Sequence, residues 1–93
     1  MRLSWDESAW EDYKYWQQTD RKIIKRINTL IDACLRDPFN GIGKPEQLKY
    51  GAQGSWSRRI TDEHRLVCLV EEDEEIILQA RNHHEAFTLK NFA

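Results

Sequence analysis

Between Thr19 and Pro38 the apolar residues Ile23, Ile24, Ile27, Leu30, Ile31, Cys34 and Leu35 recur with a helical period. This segment limits the fold more than any other. At about 100° per residue the seven form one stripe, and Arg21, Lys22, Lys25 and Arg26 centre on the opposite side. A helix divided in this way needs an apolar partner on one face and water on the other. Thr19 or Asp20 supplies its N-cap. Asp37-Pro38 ends it near Arg36, because proline pushes the residue before it toward extended backbone.

The partner must come from the rest of a 93-residue chain, which is enough for one domain. Arg2 to Trp5 reads as a short strand. Asp6 or Ser8 then caps a first helix over Ala9 to Gln18, with Ser8 and Glu11 at capping-box spacing and Ala9, Tyr13 and Trp16 on one face. Pro38 to Gln47 holds both prolines and two of the four glycines, the composition of an irregular loop. Strands are expected around Leu48 to Tyr50, Ser55 to Ile60, His64 to Val70 and Glu75 to Asn82. The order predicts an α+β domain in which two N-terminal helices pack on one face of a twisted antiparallel sheet.

Charge is unevenly spread. The net charge is −2, but "EEDEE" (Glu71 to Glu75) carries −5, so the remainder is +3. The acidic block reads as a solvated turn, which leaves room for a local anion-binding face. No apolar run approaches the roughly 18 residues of a membrane span. "MRLSWDES" contains no apolar signal core, so the expected compartment is the cytosol and no membrane partner is expected. Cys34 and Cys68 lack CxxC spacing and read as buried free thiols.

"WSRRITDEHRLVCLV" (Trp56 to Val70) is a β-hairpin that gathers Arg58, Arg59 and Arg65 on one ribbon. A loop of odd length sets Arg59 opposite Arg65, with Trp56, Ile60, Leu66, Cys68 and Val70 on the reverse face. A two-residue loop would break that arrangement. In the last strand, alternation sends Ile76, Leu78 and Ala80 one way and Ile77, Gln79, Arg81 and His83 the other. With the odd loop, one sheet face gathers Arg59, Arg65, Arg81 and His83. A solvated face with ion pairs is the ordinary state of such residues. If Glu46, Lys49, Arg59, Arg65 and His83 converge, however, they comprise a carboxylate, an imidazole and fixed cations. Those are the parts required to cleave RNA without a metal. Arginine suits such a site because its planar fork matches phosphate oxygens and its charge is not titrated away.

Other chemistries fit less well. His83 and His84 are adjacent, so on a strand they face opposite ways and make poor joint metal ligands with His64. Neither cysteine has an evident base nearby, and there is no GxSxG. The glycines of "NGIGKP" are not followed by the helix a phosphate loop needs. The basic face of the second helix suits weak contact with a nucleic-acid backbone. Trp5, Trp10, Trp16 and Trp56 read as core or interface residues.

"SWDESAWEDYKYWQQTDRKIIKRIN", "GKPEQLKY", "WSRRITDEHRLV" and "ARNHH" together resemble the YoeB/Txe toxins of bacterial toxin–antitoxin systems, within the RelE-like superfamily. The likeness runs over residues 1–84 and leaves 85–93 as a tail. It implies a β-α-α-β-β-β fold and a ribosome-dependent endoribonuclease that cuts mRNA, with no cofactor. Glu46 would be the general base, His83 the general acid and Arg65 the group that stabilises the phosphorane. Lys49 and Arg59 would hold the phosphate, while Gly41, Gly43, Lys44 and Pro45 would shape the turn presenting Glu46. The implied partners are a YefM/Phd-like antitoxin, the 70S ribosome with its mRNA, operator DNA only through the antitoxin complex, and a second copy of the toxin. Two features depart from the family pattern. His84 stands where an aromatic residue, usually tyrosine, would close the chain and contact a base; Asn82 is less apolar than expected before the histidine. A non-catalytic ParE-like gyrase inhibitor, or a degenerate toxin that only binds antitoxin, is the alternative on the same fold.

Overall fold

A computed structural model describes residues 1–49 and 53–82. The elements are β1 (Arg2–Trp5), α1 (Glu7–Thr19), α2 (Arg21–Arg36), β2 (Glu46–Gln47), β3 (Ser55–Arg59), β4 (Arg65–Glu71) and β5 (Glu74–Gln79). Both helices start where their caps predict. The Asp6 carboxylate accepts from the Ser8 N–H at 3.1 Å, and Asp20 accepts from the N–H groups of Lys22 and Ile23. These bonds satisfy donors that the first turn of a helix leaves free. Asp20 alone joins the helices, because its own N–H closes α1 on the Trp16 carbonyl. The expected stripe is the buried one: Ile27, Leu30, Ile31 and Cys34 are core, with Ile23, Ile24 and Leu35 packed around them.

The strands form one sheet in the order β1-β5-β4-β3-β2. The α+β expectation holds, but the sheet is mixed. β1 lies parallel to β5, with Arg2 opposite Glu74 and Trp5 opposite Ile77, whereas the other neighbours are antiparallel. The turn between β3 and β4 sets Arg59 opposite Arg65, which is the odd-loop register. β2 begins earlier than the strand expected around Leu48 to Tyr50, so Glu46 sits on a strand rather than in the loop. Tyr50 lies outside the described residues.

Three positions, one apolar and two charged, differ from the simple expectation. A bulge shifts the register, so that Val67 faces Gln79 and Cys68 faces Ile77. One extra residue on β5 switches its phase. Ile77 therefore joins the helix-side core with Ala80, not the outer face with Gln79. Glu75, two residues before Ile77, is also turned inward and is 0% exposed, whereas Glu71, Glu72 and Asp73 remain exposed as the acidic turn requires. Arg58, opposite Leu66 on the core side of β3, is 1% exposed. Its guanidinium donates to the carbonyls of Asp37, Asn40 and Ile42 at 2.7–2.9 Å. Of the three hairpin arginines, this one ties down a loop.

That loop depends on Gly43. Its φ is +84°, and a Cβ there would lie 2.7 Å from Leu30 Cδ2 and 3.1 Å from Arg58 Cβ. A left-handed backbone and a filled space both oppose a side chain. Gly43→Ala is expected to destabilise the fold by about 2 kcal/mol or more. Denaturant unfolding checks this, and an unchanged midpoint would remove the close approach from the account.

Candidate active site

The outer sheet face is set by register. Glu46 pairs with Ser57, Ser57 with Val67, and Val67 with Gln79, which makes one row across four strands. Directly paired residues share a face, and residues two apart along a strand share it as well. Arg59 and Arg65 form the next row, two residues further along β3 and β4. Glu46, Arg59 and Arg65 are therefore on the face away from the helices. From strand spacing and rise, the Cα atoms of Glu46 and Arg65 are roughly 12 Å apart, a gap that long side chains and a bound phosphate can span.

Each position is fixed by local bonds. Positive φ at Gly41, Gly43 and Lys44 turns the chain into β2. The Arg59 N–H donates to the Gly43 carbonyl at 2.7 Å, and the Arg59 carbonyl accepts from Arg26 Nη2 at 3.1 Å. The loop and α2 thereby hold the backbone that carries Arg59, and one residue of the basic helix face has a structural task. Lys49 is exposed two residues beyond β2, where the Leu48 N–H still pairs with the Ser55 carbonyl. Arg65 is 8% exposed, and its Nη1 donates to the carbonyls of Thr61, Asp62 and His64. The side chain is oriented before any ligand arrives.

A second set of bonds holds the end of β5 against Arg65. The Arg65 N–H donates to the Asn82 carbonyl at 2.8 Å, and Gln79 Nε2 donates to the same oxygen at 3.0 Å. The Asn82 N–H donates to His64 Nδ1 at 2.8 Å. The His64 ring packs edge-on to Trp16, whose Nε1 donates to the Ala80 carbonyl. Asn82 has φ +71°, a left-handed conformation that asparagine tolerates far better than an apolar branched residue does. This accounts for a polar residue before the histidine. His64, Gln79 and Asn82 were not assigned to the site by sequence reasoning; the positive φ of Asn82 leaves only its residue type as a signal. His83 and His84 lie outside the described residues, as does the tail 85–93. Arg81 does not join the outer face as expected. Its guanidinium carbon sits 3.7 Å from the centre of the Tyr15 ring on α1, a cation–π contact.

Two arginines directly opposite each other repel, and among the described residues neither has an ion-pair partner. An anion bridging them would remove the repulsion. With Glu46 one row away, the face offers a fixed dianion-binding charge and an exposed carboxylate able to accept a proton. No helix of the described residues is long and apolar enough to cross a membrane.

Two helices on one face of this five-stranded sheet, with a cationic hairpin on the other, define the fold of small bacterial toxins. A YoeB/ParE toxin from Agrobacterium tumefaciens superposes with a TM-score of 0.86 at 47% identity, covering 89% of this chain and 99% of that one. The YoeB of Staphylococcus aureus superposes at 0.84 as a dimer and at 0.81 in its complex with YefM, at 43% and 42% identity; each match covers 89% of this chain and 97% of that one. Toxin YoeB of Escherichia coli K12 is 54% identical over 84 residues, which is 90% of this chain and all of the relative. The model of the YoeB-like toxins of bacterial type II toxin–antitoxin systems matches residues 5–84. The chain belongs to that family.

Proposed function

We propose that this toxin is an mRNA endoribonuclease that acts on the ribosome and arrests translation. Glu46 removes the proton from a ribose 2′-OH, the oxygen attacks the adjacent phosphorus, and the 5′-oxygen leaves with a proton from His83. The products are a 2′,3′-cyclic or 3′-phosphate and a 5′-OH end. Arg65 stabilises the charge that builds on the pentacoordinate phosphorus, and Arg59 and Lys49 hold the phosphate. Its main support is the register that puts Glu46, Arg59 and Arg65 on one face. The oriented Arg65 suits transition-state stabilisation, which depends on charges placed in advance. So small a site suffices if the ribosome supplies the geometry of the RNA. His84 contacts a neighbouring base, and the protein works in the cytoplasm without a cofactor.

A partner follows from the relatives. The S. aureus toxin is found both as a dimer and with YefM. A YefM-like antitoxin is the expected inhibitor here, self-association the expected free state, and operator DNA a target only of the toxin–antitoxin complex. The test maps RNA ends on ribosomes programmed with a defined message. Cuts carrying 5′-OH and cyclic or 3′-phosphate ends are expected. Cuts leaving a 3′-OH and 5′-phosphate would contradict 2′-OH attack. Replication stopping before translation on induction would favour a gyrase-directed toxin instead.

A further inference from the structure

Two thiols and a carboxylate meet in the core, on the side of the sheet opposite the site above. Cys34 comes from α2, Cys68 from β4 and Glu75 from β5, and their ligand atoms all lie within 4.8 Å of one another. Relative exposures are 1%, 2% and 0%. The packing is imposed by the fold: Cys34 lies on the apolar stripe of α2, Cys68 pairs with Ile77, and Glu75 pairs with Val70 beside it. Neither carboxylate oxygen of Glu75 has a hydrogen-bond partner among the described residues.

A buried carboxylate without a partner is costly. Burial pushes the Glu75 carboxyl up from its usual range, and the nearby thiols and the Arg58 charge offset that in part. The thiols lie close enough to ease the cost without making bonds of good geometry to its oxygens. The neighbouring Cys34, then burial, holds the Cys68 thiol well above its usual value. Without a cation, the Cys68 thiol and the Glu75 carboxyl are therefore driven to keep their protons.

We infer that Cys34, Cys68 and Glu75 form a core site for a thiophilic divalent cation of the zinc class. Two thiolates and one carboxylate are a donor set such ions accept, with the second carboxylate oxygen or a water taking the fourth position. Tetrahedral coordination requires sulfur–sulfur separations of about 3.7 Å, so the cluster must contract by about 1 Å at most. On binding, each thiol and the carboxyl release their protons, and the metal takes one electron pair from each. Two thiolates, one carboxylate and a dication sum to −1, and Arg58, near enough to act on Glu75, brings the balance to zero. The site ties α2 to β4 and β5, so its role is structural. It takes no part in the RNA chemistry proposed above.

Cobalt(II) is the probe, with the full chain kept reduced and first stripped with chelator. One Co²⁺ per chain is expected, with a near-ultraviolet sulfur-to-cobalt band and the visible bands of a tetrahedral site. Zinc(II) should displace the cobalt and raise the melting temperature. Cys68→Ser should remove most of the charge-transfer intensity. Glu75→Gln keeps the shape of the side chain, and should weaken binding at least tenfold while leaving the metal-free fold intact. The inference is overturned by an absent sulfur-to-cobalt band, by a band that survives in the Cys34→Ser/Cys68→Ser double variant, or by a Cys34–Cys68 disulfide in place of two free thiols. None of these readouts involves RNA, so failure here leaves the nuclease proposal standing, and the converse holds too.

Discussion

Glu46→Gln will fold like the unmodified chain and cut RNA about 10²- to 10⁴-fold more slowly, the range for loss of a general base. Glu46 is exposed on β2, a two-residue edge strand, so the amide should cost little stability. It keeps the shape of the carboxylate but cannot take the 2′-OH proton at neutral pH. Single-turnover cleavage on programmed ribosomes measures the rate, and thermal unfolding measures the fold. Binding to the ribosome should persist, because the cations of the face are unchanged. A rate within threefold of the unmodified chain would remove Glu46 from the chemistry and leave the arginine face as a binding surface only.

The second large effect concerns Arg58, on the core side of β3. Arg58→Met is expected to destabilise the protein by about 3 kcal/mol or more. Three carbonyls, those of Asp37, Asn40 and Ile42, would lose their donor together. The methionine would fill part of the space without reaching them. Arg58→Lys should recover only a fraction, since one ammonium cannot reproduce a fork that uses both Nη1 and Nη2. Arg59→Met, one residue away on an exposed position, should behave in the opposite way, with near-normal stability and reduced cleavage. Chemical denaturation and the cleavage assay separate the two. If Arg58→Met left stability unchanged and abolished cleavage, the roles of these neighbours would have to be exchanged.

Arg58 and Arg59 also show where sequence reasoning ends. Alternation says that adjacent strand residues face opposite ways, but not that a charged one will be accepted inside. Arg58 is accepted because a nearby loop offers carbonyls, and no motif of the loop announces them. The helices were legible because caps and period agree, and a proline closes α2. The hairpin register depended on an odd loop, which the structure contains, and with it came the shared face of Arg59 and Arg65. Glu46 entered as one of a set that could converge and took its proposed role from the resemblance, and its place on a strand emerged only from the pairing with Ser57. Glu75 looked like part of a solvated acidic turn because four acidic neighbours precede it. Its parity with Ile77 on β5 was the available clue, obscured because the bulge reverses the phase expected from Ala80. Bulges carry no reliable residue signature, so Ile77 and Gln79 could not be assigned faces from composition alone.

The pairing of β1 with β5 brings Arg2 beside Glu74 and makes β1 wait for β5. During synthesis, α1 and α2 can form and associate early, since their contacts are local. The sheet is different: β1 has no neighbour in it until β5 has been made. A half-made copy therefore carries the helices but no completed hairpin face. Closure of the sheet, and with it the face that carries Glu46, Arg59 and Arg65, thus waits for β5.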